Sequence, residues 1–281
     1  MTASQLPLAL DWCQRWTDRR HSWRHRGEGG FDASRYAVDE IPEALAKGYV
    51  VRHHYSASYP AASRRMGLVD RAADVLVGVA VLSVPSRPEV LTGVLPHLVP
   101  YSESLELGRL VLADSVPANA ESWFLARAFR IASDHGVRGV VAFSDPLPRA
   151  TADGTVVMPG HVGCVYQASN ATYTGRSTAR TLTLLPDGTV LSDRAQQKVR
   201  AGEQGHEYVE AQLVALGAAA PQGDRAIWLR AALAAVGARK VRHPGNHRFV
   251  FRLGRDRREQ RRVLVSLPAL AYPKATAALA A

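Results

Sequence analysis

The chain has 281 residues, 47% of them hydrophobic, and 35 Lys and Arg against 25 Asp and Glu, a formal net charge of +10. No apolar run approaches the roughly 18 residues of a membrane-spanning helix. The N-terminus shows no basic segment followed by a long apolar stretch, so no secretory signal is expected. Cys13 and Cys164 cannot build a disulfide framework, which makes a reducing cytoplasm the expected location. The basic excess favours polyanionic partners, with nucleic acid first and an anionic cofactor second, against the alternative that an arginine-rich composition simply makes many surfaces basic.

Residues 1–36 read as a basic extension. "RWTDRRHSWRHRGEGGF" mixes Trp16 and Trp23 with arginines, a composition suited to stacking and phosphate contact, and equally to a surface helix or loose tail. From Tyr36 the pattern tightens. "GYVVRHHYSASYP" reads as a strand running into a polar loop, and "DVLVGVAVLSVP" and "SLELGRLVLAD" as strands. "VPANAESWFLARAFRIASDHG" predicts a helix capped by Asn119, with Phe124, Leu125, Ala128 and Ile131 on one stripe and Gly136 closing it. "VRGVVAFSD" is the next strand, and "GHVGCVYQASN" a polar loop.

"ARTLTLLPDGTVLSD" predicts a hairpin turning at Pro186-Asp187-Gly188. "SDRAQQKVRAGEQGHEYVEAQLVALG" is mostly helical, and "HRFVFRLG" is a short late strand. The order implies an α+β or mixed α/β fold around one main sheet. The expected division is an extension over 1–36, a catalytic domain over 37–200, a helical and basic portion over 201–270, and a weakly ordered tail over 271–281.

Several residues stand out. Asp145 closes an apolar strand, where ligands usually bind; it suits a metal ligand, a general base or a turn-forming residue before Pro146. Arg109 interrupts an apolar strand, where a charge is costly unless paired; Asp145, a bound carboxylate or a phosphate would serve. Cys164 has no evident base beside it and reads as core. The segment Arg239–Arg262 holds ten Arg or Lys, among them Arg248, against Asp256 and Glu259. With Phe249 and Phe251 interleaved it suits contact with a nucleic-acid backbone, or a solvated basic face. His243 and His247 are four apart, but Pro244 and Gly245 argue against a zinc pair on a helix.

Taken in order, "HHYSASYPA", "ELGRLVL", "NAES", "VVAFSDP" and "GHVGCVYQASN" resemble the Mom family of phage DNA-modification proteins, over roughly His53 to Arg180. The resemblance implies a fold like the Gcn5-related N-acetyltransferases (GNAT). It implies transfer of a carbamoylmethyl-type group to the N6 amino group of adenine in double-stranded DNA, protecting that DNA from restriction. It also implies iron, and an acyl-CoA donor has been suggested for the family. It makes Tyr166 the stronger candidate beside His161, as an iron ligand, a proton carrier or a stacking surface for an extruded base. A metal set of His54, Tyr55 and Asp145, with Tyr166 near, follows from the matched positions, because carboxylate, imidazole and phenolate together suit iron better than zinc.

Asn119 and Ser122 open the central helix and could hold a donor anion. Asn170 and Tyr173 follow Tyr166 and are expected to line the same cleft. Two departures are visible, the first from ordinary acetyltransferases and shared by the Mom family, the second an insertion. The loop "LADSVPANAESW" lacks the glycines with which ordinary acetyltransferases of this fold cradle CoA, and Pro117 removes an amide donor. The insertion "PLPRATADGTVVMPG" reads as a plain loop, with a hairpin lid or a DNA contact through Arg149 as alternatives. The rival readings are an acyl-CoA N-acyltransferase acting on a small amine or protein, and a non-catalytic DNA-binding accessory protein. The oligomeric state is not fixed, and a homodimer stays open.

Overall fold

The computed structural model describes residues 12–17, 20–25, 27, 30–158 and 160–274; in its first two strands only Arg15 and His25 are described beyond the backbone. The chain forms two compact units, one comprising residues 1–146, 160–177 and 246–281, the other residues 147–159 and 178–245.

The first unit opens with an antiparallel hairpin of β1 (Trp12–Thr17) and β2 (Arg20–His25), so the expected surface helix or loose tail is a strand pair. The side chains of Trp16 and Trp23 lie outside the described residues. β3 (Tyr36–Glu40) follows, then α1 (Glu43–His53), β4 (Ala62–Asp70), β5 (Val75–Ser83), α2 (Glu89–Thr92), β6 (Ser104–Leu112), α3 (Ala120–Asp134) and β7 (Gly139–Ser144). In the second unit come β8 (Arg149–Ala150) and β9 (Val156–Met158), after which α4 (Cys164–Ala168) and β10 (Thr172–Arg176) rejoin the first. The second unit continues with β11 (Arg180–Leu184), β12 (Val190–Leu191), α5 (Asp193–Ala201), α6 (Glu207–Ala215), α7 (Arg225–Ala235) and β13 (Arg239–His243). β14 (His247–Arg252) and α8 (Arg257–Arg262) return to the first.

The fold of the first unit is α+β: a mixed seven-stranded sheet, in the order β10-β14-β7-β6-β5-β4-β3, flanked by helices. Only β6 and β7 are parallel, and α3 supplies the crossover that a parallel pair requires. Phe124, Leu125, Ala128 and Ala132 of α3 are buried against one sheet face with Leu105, Leu107, Val140, Ala142 and Phe249.

The segment around His53 is not a strand. The run Tyr49-Val50-Val51 has strand-like composition, but Pro42 sits at the N-cap of α1, and Ala46 and Val50, one turn apart, bury against Val79, Val81 and Val111 of the opposite sheet face. Burial of that two-residue stripe overrides local propensity. The helix ends where His54 turns to extended backbone, its N–H still bonded to the Val50 carbonyl.

β14 lies inside the main sheet, between β10 and β7, with His247 opposite Ser144 and Arg252 opposite Gly139. The expected boundary at residue 200 is therefore drawn elsewhere, since β14 belongs to the same sheet as β3. Phe249 and Phe251 are core residues rather than part of a basic surface.

The second unit has its own core, in which Leu185, Val199, Val209, Leu213, Trp228 and Leu229 pack α5, α6 and α7 together. β11 pairs with β12 and β13, and the β11–β12 hairpin turns at the expected Pro-Asp-Gly, Gly188 taking φ +78°. The insertion after Pro146 is the β8–β9 hairpin rather than a plain loop, with Arg149 opposite Met158. Among the described residues no helix is long and apolar enough to cross a membrane. Residues 275–281 of the expected tail lie outside the described residues; of the preceding stretch, Tyr272 donates its hydroxyl to the Ala171 carbonyl.

Candidate active site

The candidate site lies where β6 and β7 part. Their pairing runs from Ser104 and Gly139 to Leu107 and Ala142 and then stops, while β6 stays paired with β5 up to Leu112 and β7 with β14 up to Ser144. A bulge in β6 causes this. Leu107 faces Leu82 and Arg109 faces Val81, so Gly108 is inserted between two ladder positions. No larger residue fits there, because a Cβ on Gly108 would lie 2.3 Å from Ser83 Oγ and 3.2 Å from Pro60 Cγ. The inserted residue also returns Arg109 to the sheet face that carries Val81 and Val111, the face covered by α1.

Arg109 donates from Nε to the Ser58 carbonyl at 2.9 Å and from Nη2 to Ser58 Oγ at 2.7 Å. It thus pins the loop after α1. That loop carries His54 and Tyr55, whose rings lie 4.1 Å apart. The Ser56 amide donates to His54 Nδ1 at 3.1 Å. Burial first, then the charge of Arg109 and the nearness of His161, lower the His54 pKa to about 3, so the ring is neutral at neutral pH.

Tyr166, on α4, is buried against Phe249 and Phe251 at ring distances of 5.3 and 6.1 Å. Burial pushes its phenol far above the ordinary value, and Tyr55 and Glu106 add to the rise while Arg109 opposes it. The short helix holding it replaces the expected polar loop. His161 donates its backbone N–H to the Asp145 carbonyl at 2.8 Å. Burial lowers the His161 pKa to about 4, against an upward pull from the Asp145 carboxylate. Tyr173 Oη and His247 Nδ1 are 2.9 Å apart, and burial, Arg176 and His161 bring His247 to about 4.

One neighbourhood therefore gathers His54, Tyr55, Glu106, Arg109, Asp145, His161 and Tyr166, with Tyr173 and His247 adjoining through His161. Glu106 was missed in the sequence, although a carboxylate three residues before Arg109 in an apolar strand is the same signal as the arginine itself. Burial raises its pKa and Arg109 lowers it. Ser144 Oγ is buried at the end of β7 without a hydrogen-bond partner.

Other expected residues lie elsewhere. Asn170 takes a left-handed conformation, φ +59°, and lines a pocket with Arg252, Arg257 and Arg261 rather than the cleft of Tyr166. Arg248 is tied to Thr174, through Nε to Oγ1 at 3.0 Å and Nη2 to the carbonyl at 3.2 Å. Arg149 belongs to the second unit. Cys164 is exposed, not core.

The N-terminus of α3 does not fit a CoA diphosphate. Asn119 is left-handed, φ +73°, and its side chain caps nothing; Ser122 Oγ donates to the Asn119 carbonyl at 3.3 Å. Arg15 of β1 fills the preceding loop, donating to the carbonyls of Ala113, Val116 and Pro117 and pairing with Glu121 at 2.6 Å. A carboxylate in the first turn already takes the place of a bound anion.

The expected iron set of His54, Tyr55 and Asp145 is not seen assembled as a metal site among the described residues. His54 Nδ1 is engaged within its own turn, 3.1 Å from the Ser56 amide and 2.9 Å from Ser56 Oγ. The guanidinium of Arg109 is also close enough to disfavour a second positive charge on that ring. Among the described residues no group of three His, Cys, Asp or Glu could hold a metal ion.

No curated protein matches the chain in sequence. Among solved structures it is similar to a spermidine N-acetyltransferase from Vibrio cholerae in complex with CoA and spermine, at 10% identity and TM-score 0.32 over 57% of this chain and 89% of that one. It is also similar to a tandem GNAT protein from the clavulanic acid biosynthesis pathway, at 10% identity and TM-score 0.34 over 71% of this chain and 65% of that one. Those likenesses, at those scores, bear no further weight. The family model of the Mom protein family matches residues 35–274, a span holding every element from β3 to α8 and the whole residue cluster at the parting of β6 and β7, and the chain belongs to that family.

Proposed function

We propose that the protein modifies DNA by transferring a carbamoylmethyl-type group to the N6 amino group of adenine. The observation that carries this reading is the gathering of two neutral imidazoles, two phenols, two carboxylates and one arginine around the opening between β6 and β7. Membership of the Mom family and the net charge of +10 support it.

An amino group inside a duplex is poorly accessible to an enclosed site, so the adenine is turned out of the stack before reaction. N6 then forms a bond to an electrophilic carbon of the donor, the donor's leaving group departs, and N6 gives up one proton. His161 is suited to receive that proton: its ring is neutral at neutral pH and lies in the field of the Asp145 carboxylate. The Tyr55 hydroxyl and His54 Nε2 are polar groups suited to hold atoms of the base or the donor group. Tyr166 stays protonated and acts as a donor, not as a phenolate. Arg109 is a positioning residue, fixing the 56–58 loop through Ser58.

The test is to express the protein beside a plasmid, digest the plasmid to nucleosides and measure their masses. A new adenosine species of added carbamoylmethyl mass is expected. An unmodified profile from a protein that still binds DNA would point to the accessory role instead.

A further inference from the structure

We propose that Arg252, Arg257 and Arg261 form a phosphate-binding pocket, separate from the candidate active site, that takes a backbone phosphodiester of duplex DNA. The proposal rests on the DNA reading above and deepens it. The pocket, of about 290 Å³, is lined by Asn170, Thr172, Val250 and Gln260 besides the three arginines. That volume holds a phosphate together with ordered water.

The charge at this place is uncompensated. α8 carries Glu259, but its Oε1 accepts two hydrogen bonds from Arg255, at 2.9 and 2.6 Å, and its Oε2 accepts from the Arg255 amide. Asp256 is used to cap the same helix, accepting from the Glu259 amide at 2.8 Å. Both acids of the segment are thus spent, and among the described residues none pairs with Arg252, Arg257 or Arg261. The three cations come from separate places on the chain, the end of β14 and two successive turns of α8, and converge on one polar hollow. Converging guanidiniums present several N–H donors to a tetrahedral oxyanion, and Asn170 and Gln260 add neutral donors that can complete its shell.

The pocket is not part of the reacting site. Arg252 stands opposite Gly139 at the start of β7, while His247 stands opposite Ser144 at its end. Five residues of strand separate them, roughly 17 Å. Arg252 also points to the sheet face of Val250, whereas Phe249 and Phe251 point to the face that buries Tyr166. A ligand here is held for position rather than for chemistry.

The experiment measures affinity for a duplex oligonucleotide against salt concentration, using the full chain, Arg257→Gln/Arg261→Gln, and Arg71→Gln as a charge control at the far edge of the sheet. These side chains are exposed, so folding is expected to survive, and circular dichroism checks it. The expected result is a log–log salt slope shallower by roughly 1 to 2 in the double variant, with affinity about tenfold or more weaker at low salt and the control unchanged. Adenine modification at saturating DNA should stay at the wild-type level. A wild-type slope in the double variant overturns the pocket while leaving the DNA reading intact; salt-insensitive wild-type binding overturns the DNA reading itself. Titration with inorganic phosphate is the third arm: phosphate binding lost in the variant with DNA affinity unchanged identifies a site for free phosphate and overturns the duplex assignment.

Discussion

The backbone amide of Ser56 points at Nδ1 of His54 from 3.1 Å and Ser56 Oγ lies 2.9 Å from the same nitrogen, so the turn engages Nδ1 and leaves Nε2 out of it. The turn and the chemistry of His54 can therefore be separated by substitution. Asparagine accepts from the amide two residues on, so His54→Asn keeps the turn and removes Nε2. The expected outcome is a folded protein whose yield of modified adenosine falls by about 100-fold or more. Wild-type yield from a correctly folded H54N would remove His54 from the site.

Three histidines, His54 and His247 buried and His161 half-buried, set the acid limit of stability. His54 sits at about 3 and His161 and His247 at about 4, against an ordinary 6.5. With folded values below the unfolded one, the unfolded chain binds more protons between them. Their contribution is fully present above about pH 6.5 and drains away as pH falls through 4 toward 3. Denaturant melts at pH 7, 5.5 and 4.5 should show stability decreasing at each step, and His161→Gln should flatten the decline. A stability that rises on acidification over this range would contradict the neutral state of these rings.

The main sheet was legible because β5, β6 and β7 are runs of buried apolar residues bounded by turns, and α3 because its apolar positions repeat with helical period. Among the elements that were not legible, two show different reasons. α1 was hidden because Val50 and Val51 favour strands locally, and only contact with Val79 and Val81, which no local pattern reports, makes a helix pay off. β14 was recognised as a strand, but its place inside the sheet, next to the edge strand β10, depends on pairing with a strand over 100 residues earlier. In the site, Asp145 and Arg109 stand out as polar groups at the end and in the interior of apolar strands, whereas Tyr166, His54 and Tyr55 are singled out by the family resemblance. Glu106 lies in the same strand as Arg109, yet the bulge at Gly108 that aims it and Arg109 at one face leaves no trace in the pattern of hydrophobicity.

The bulge gives a test of its own. Gly108→Ala would place a methyl 2.3 Å from Ser83 Oγ and 3.1 Å from Ser83 Cβ. Overpacking of this kind costs about 1–3 kcal/mol. Because the nearest clash is with a hydroxyl, Ser83→Ala should recover part of the loss. A double-mutant cycle in urea is expected to give a favourable coupling of about 0.5 kcal/mol or more. Zero coupling would show that the sheet relaxes at Gly108 without involving Ser83.

Tyr166 decides whether the cleft uses a phenol or a phenolate. Burial and the neighbouring Tyr55 and Glu106 hold its pKa well above the ordinary value, so its hydroxyl donates throughout the range in which the protein is folded. Tyr166→Phe keeps the ring contacts with Phe249 and Phe251 and removes only that donor. Stability should change by no more than about 1.5 kcal/mol, the usual net worth of one hydrogen bond, while modification falls by about 100-fold. The pH profile separates the two roles: a donor that never ionises leaves the alkaline limb of the wild-type profile flat near pH 9, whereas a phenolate would make activity climb there. A climbing alkaline limb that disappears in Tyr166→Phe would transfer the role of proton acceptor from His161 to Tyr166.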